Sequence, residues 1–146
     1  MLDLVLAIAH HLLVFGLFGI LFAEFMLVRR GMDKQTVARL GAIDIWYGVL
    51  AGLIIAVGFS RAIFAAKGWF YYSHNAFFWA KLATFAALGI LSISPTISFI
   101  RWRRRNIVPN DAQVRGAQRF LWIEVALFAF ILVFAAAMAR GYGEFV

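Results

Sequence analysis

The stretch LDLVLAIAHHLLVFGLFGILFAEFMLV, residues 2–28, is almost unbroken in apolar side chains. A helix rises about 1.5 Å per residue, so about 20 apolar residues cross the hydrocarbon layer of a bilayer. This run exceeds that length, and only Asp3, the pair His10–His11 and Glu24 interrupt it. It reads as a membrane span. Three further runs qualify, over about residues 40–66, 74–100 and 116–139. The expected architecture is all-α: one transmembrane domain over residues 1–146, folded as an antiparallel up-down four-helix bundle. Connections this short make neighbouring helices antiparallel. A cleaved signal peptide is not expected, because the first charge is Asp3 and the apolar run is long enough to span.

Composition agrees. The chain is 64% hydrophobic and 14% charged, where soluble domains are about 45–50% apolar. The excess must face something other than water, and lipid is the expected partner. There is no cysteine, which excludes disulfides, thiolate metal sites, iron–sulfur clusters and covalent c-type haem attachment. Haem held by histidine is not excluded. The net charge of +7 does not form a nucleic-acid face, because the basic residues lie in connections between spans. One connection holds Arg29, Arg30, Lys34 and Arg39; another holds Arg101, Arg103, Arg104, Arg105 and Arg115. The middle connection, KGWFYYS, sets one lysine among aromatics, as an interfacial belt does. By the positive-inside rule the two arginine-rich connections are cytoplasmic and both termini are outside. The run RWRRR serves as a topology signal that also meets anionic lipid.

Charged side chains inside spans are costly and turn into the bundle. On a helical wheel His10, Val14, Leu17, Leu21 and Glu24 share one stripe of the first span, while His11 lies with Phe15, Phe18, Phe22 and Phe25. Small residues flank the His10 side, so that side is expected inside and the phenylalanines toward lipid. The second span aligns Asp44, Gly48, Ala51, Gly58 and Ala62 as a close-packing seam. In the third, His74, Lys81, Phe85, Leu88 and Ser92 align, Ser73 caps the helix, and Pro95 is expected to kink or break its last turns. In the fourth, Arg119, Trp122, Val133 and Arg140 share a face from which Glu124 points away.

Two polar clusters result. The outer one gathers His10, His11, Arg61, His74, Lys81 and Arg140, without a carboxylate inside the spans. Neutral imidazole is a good axial ligand for haem iron. His10 is the preferred ligand, with His74 or His11 second, and Arg61, Arg140 and Lys81 would hold propionates or an anionic substrate. The plain alternative is interfacial histidines bonded to neighbouring backbone. The inner cluster sets Glu24, Asp44 and Glu124 beside Arg119 and Arg101, as salt-bridge glue or as a proton-uptake path. Lys81, Glu24 and Glu124 are the candidate catalytic groups. The function these residues suggest is a b-type haem-binding redox protein for electron transfer or substrate oxidation, with membrane quinone as a candidate electron acceptor. The rival is a cofactor-free bundle, either a small-anion carrier that works as a homo-oligomer or an accessory subunit.

The order His10-His11, Glu24, Asp44, Arg61, Tyr72-x-x-Asn75, Trp79-x-Lys81, Pro95, Arg101-Trp102 and Arg140-Gly141 resembles a bacterial four-helix inner-membrane family of unknown function. The early histidine, FFWAKL in the third span and RFLWIEVALF in the fourth look more distantly like the HemJ-type protoporphyrinogen IX oxidases. That likeness implies haem b and a porphyrin substrate. His10 would match the amino-terminal histidine, Lys81 the third-span lysine, and Arg119 and Glu124 the fourth-span motif. Trp79 stands where those enzymes have a histidine two residues before the lysine.

Overall fold

The computed structural model describes residues 1–64 and 68–145. Ala66, where the second span was expected to end, Lys67 of the middle connection and Val146 lie outside the described residues. The elements are α1 (Leu2–Leu27), α2 (Lys34–Phe64), α3 (Gly68–Ser73), α4 (Ala76–Arg105) and α5 (Asp111–Ala139). Four of them, α1, α2, α4 and α5, are long and apolar enough to cross a bilayer. Each packs on two neighbours, α1 on α2 and α5, and α4 on the same two, so the four close into a ring.

The core is the inner stripe of each helix. Leu17 and Leu21 of α1, Leu40 of α2, Leu88 and Phe99 of α4 and Leu121 of α5 are buried against one another. Phe15, Phe18 and Phe22 stay exposed, as a lipid-facing side should. Burying one such side chain away from water is worth about 1.5–3 kcal/mol. Lipid gives no such gain, so close packing and internal polar bonds must position these helices once inserted.

The expected spans correspond to α1, α2, α4 and α5, with shifted ends. α2 starts at Lys34 and α5 at Asp111, ahead of the apolar runs. Their first turns are polar and carry caps: Asp33 Oδ1 accepts from the Thr36 amide at 2.8 Å, and Asn110 forms a capping box with Gln113. Pro95 does not break its helix. α4 runs through it to Arg105, with Pro95 buried, as neighbouring helices in a membrane bundle permit.

At the aromatic end the expected Ser73 cap is replaced. Ser73 ends α3, and the cap of α4 is Asn75. Its Oδ1 accepts from the amides of Phe77 (3.0 Å) and Phe78 (3.2 Å), and its Nδ2 donates to the Tyr142 carbonyl at 3.0 Å. The chain beyond α5 thus returns to the start of α4. The Ala76 amide donates to the Gly143 carbonyl (2.8 Å) and the Phe145 amide to the His74 carbonyl (3.0 Å). Gly143 sits at φ +80°, and a Cβ there would lie 2.5 Å from the Phe77 ring, so glycine is required on both counts.

Candidate functional site

Helix periodicity puts His10 on the inner side of α1, and the structure keeps it there. Its ring lies over Gly58 of α2, where a Cβ would come within 3.3 Å of Cε1. The absent side chain lets the imidazole come close to the neighbouring backbone. The Nδ1 atom is buried and has no hydrogen-bond partner. The residue lines a cavity of about 70 Å³ among α1, α2, α4 and α5, with apolar side chains such as Val14, Ile54 and Phe85 and with Lys81. Lys81 is half-buried, with Nζ over the Phe78 ring at 5.6 Å from its centroid. Arg61 of α2 is close enough to act electrostatically on both His10 and Lys81, and its Nε is buried without a partner. The Arg30–Asp111 bridge is the only ion pair among the described residues, so none involves Lys81 or Arg61.

The other outer-cluster candidates do not join this group. His11 is exposed and its Nδ1 donates to the Ala7 carbonyl at 2.7 Å, a bond internal to α1. His74 lies outside the helix start, not in the cavity. Its Nδ1 donates to the Phe70 carbonyl at 2.9 Å and its ring stacks on Phe70 at 4.1 Å. Arg140 is the exposed C-cap of α5. The structure therefore brings together His10, Lys81 and Arg61, and leaves His11, His74 and Arg140 apart.

This donor set suits one axial bond to haem iron and cationic contacts to propionates. The cavity as it stands is smaller than the macrocycle, so haem would enter only if the helices part. Cofactor pockets hold about 300–1,000 Å³, well above this cavity. A bis-histidine site is not formed either, since His74 does not line the cavity.

In the other half, Glu24, Asp44 and Glu124 come together, as the wheels implied, but the expected salt bridges do not form. Arg119 and Arg101 are exposed and make no ion pair, while all three carboxylates are buried. The wheel gives direction around one helix and not the identity of the neighbour. Arg119 sits on the outward face with Trp122, and Glu124 on the inward one. The actual partners are hydroxyls. Tyr47 donates to Glu124 Oε2 at 3.4 Å, and Thr96 donates to Asp44 Oδ1 at 2.7 Å. Neither Tyr47 nor Thr96 was singled out from sequence. The spacing Asp44-x-x-Tyr47, which puts both tips on one helical face, was the available signal for Tyr47.

No curated protein and no solved structure matches the chain. The comparisons give no link to the HemJ-type oxidases. The profile of a family described as "Predicted membrane protein (DUF2214)", whose function is unknown, matches residues 2–143. With the four spanning helices and nearly the whole chain inside that match, the protein belongs to the DUF2214 family of membrane proteins.

Proposed function

We propose that the bundle binds a small anion between His10, Lys81 and Arg61 and carries it as a homo-oligomer in the inner membrane, its arginine-rich end cytoplasmic. One observation carries this reading: half-buried Lys81 lines an apolar cavity beside His10, with Arg61 near both, and no carboxylate is paired to either cation among the described residues. Uncompensated charge inside a span costs several kcal/mol, and pairing is the rule. An anionic ligand supplies the missing partner. The volume of about 70 Å³ supports a small one. Four spans are few for a carrier, which is why the working unit is taken as an oligomer.

Titration calorimetry on the detergent-purified protein tests this, with chloride, nitrate, formate and inorganic phosphate as probes. Binding of at least one is expected. Lys81→Gln should weaken it about 10–100-fold, the range for a hydrogen bond to a charged group. His11→Ala should leave it unchanged. Absence of binding by every probe rejects the reading.

A second reading rests on the unpartnered Nδ1 of His10 facing an apolar wall. It is a haem b protein with His10 as the axial ligand, oxidising a porphyrin or passing electrons to quinone. The visible spectrum after haem-sufficient expression decides it. A Soret band lost in His10→Ala and kept in His11→Ala establishes haem, and a colourless protein that takes up no added haem removes it.

A further inference from the structure

The opposite half of the bundle carries a second unbalanced set of charges, of the other sign. Glu24 of α1, Asp44 of α2 and Glu124 of α5 are only 2%, 6% and 1% exposed. No ion pair involves them among the described residues. The Tyr47 and Thr96 hydroxyls satisfy one oxygen each of Glu124 and Asp44, while Oε1 of Glu24 and Oε1 of Glu124 are buried with no partner.

The neighbouring cations are engaged elsewhere or face outward. From α4, Arg103 donates to the Gly41 carbonyl at 3.2 Å, one turn before Asp44. From α5, Arg119 is exposed, and at the connection after α1 both Arg29 and Arg30 are exposed, Arg30 against Asp111. Among the described residues no set of three His, Cys, Asp or Glu side chains is arranged to hold a metal ion. A cavity of about 380 Å³ between α2 and α4 reaches one member of the cluster: Asp44, Tyr47, Ser92 and Thr96 stand in an otherwise largely apolar lining, and Glu24 and Glu124 lie outside it.

Ionised carboxylates taken out of water cost several kcal/mol each unless positive charge accompanies them. Here no cation is paired with them among the described residues, and those residues give no multidentate metal cage. We propose that Glu24, Asp44 and Glu124 form a proton-binding site, with Asp44 the member that borders the α2–α4 cavity. Hydronium gives its proton to a carboxylate oxygen, an O–H bond forms, and water leaves. The Tyr47 and Thr96 hydroxyls fix the oxygens that remain acceptors. This site stands whether or not an anion binds at the other end.

The test is infrared spectroscopy of the full chain in phosphatidylcholine vesicles, titrated from neutral to alkaline pH in water and in deuterium oxide. The carbonyl stretch of a protonated carboxylic acid is separate from carboxylate bands. We expect it at neutral pH, shifted in deuterium oxide and lost in alkali. Glu24→Gln and Glu124→Gln should each reduce it, and the exposed Asp3→Asn should not. If the glutamine variants fail to fold, the wild-type titration alone decides. Only carboxylate bands at neutral pH, or an acid band that appears only after sodium and potassium are removed, would overturn the proposal.

Discussion

Asn75 is a fully buried polar residue whose side chain serves two segments at once. One end caps α4 and the other holds the returning chain at Tyr142. Losing a cap costs about 0.5–2 kcal/mol, and orphaning a buried carbonyl costs about 1–3 kcal/mol. Asn75→Ala should therefore lower stability by about 2–4 kcal/mol, read as an earlier thermal unfolding midpoint in detergent. Gly143→Ala should act differently. Its positive φ and the Phe77 ring both reject a Cβ, so the segment after α5 should leave α4. Faster proteolysis there, with a midpoint closer to wild type than that of Asn75→Ala, is the expected result. The Tyr72-x-x-Asn75 pattern was visible in the sequence, but nothing in it announced a contact from the far end of the chain.

At the scale of elements, hydropathy located every spanning helix, matched α1 and the end of α5, and misplaced the starts of α2 and α5 and the end of α4. It counts apolar content, and the first turns of α2 and α5 are polar segments held by caps. The α3 turn was read as a belt because its aromatics point to an interface whatever their backbone does. Wheels separated His10 from His11 and Glu124 from Arg119, since direction around a helix follows from spacing alone. They could not pair carboxylates with the right neighbours, because pairing depends on how helices rotate against each other. The Asp33 cap gives an element-scale prediction. The Thr36 hydrogen bonds hold the exposed Asp33 carboxyl below its ordinary value of 3.8. With a lowered folded-state pKa, its contribution is present above the ordinary value and lost as pH falls through the folded one. Hydrogen exchange at the Thr36 and Val37 amides should therefore be slow at neutral pH, and protection should drop only below about pH 4. Protection independent of pH there would show that the cap does not hold α2.

For the whole molecule, the lack of cysteine makes topology directly measurable. A single cysteine at Arg104 should resist a membrane-impermeant maleimide added to intact cells, and one at Phe70, which is 75% exposed at the aromatic end, should react. The reverse labelling pattern would invert the proposed orientation. Stability should respond little to salt, because the Arg30–Asp111 pair has both side chains more than half exposed (63% and 61%). Exposed pairs contribute about 0–1 kcal/mol.

The separation of the two polar groups along the helix axis has an electrical consequence. His10 and Glu24 lie about 21 Å apart at the rise of α1, about two thirds of the ~30 Å hydrocarbon thickness. A voltage across the bilayer works on charge at about 2.3 kcal/mol per elementary charge per 100 mV over the full span, and so at about 1.5 kcal/mol over this distance. On the proposed readings, an anion bound at one end and a proton bound at the other would each lie within this field, so energising or discharging the membrane would change the occupancy of both sites.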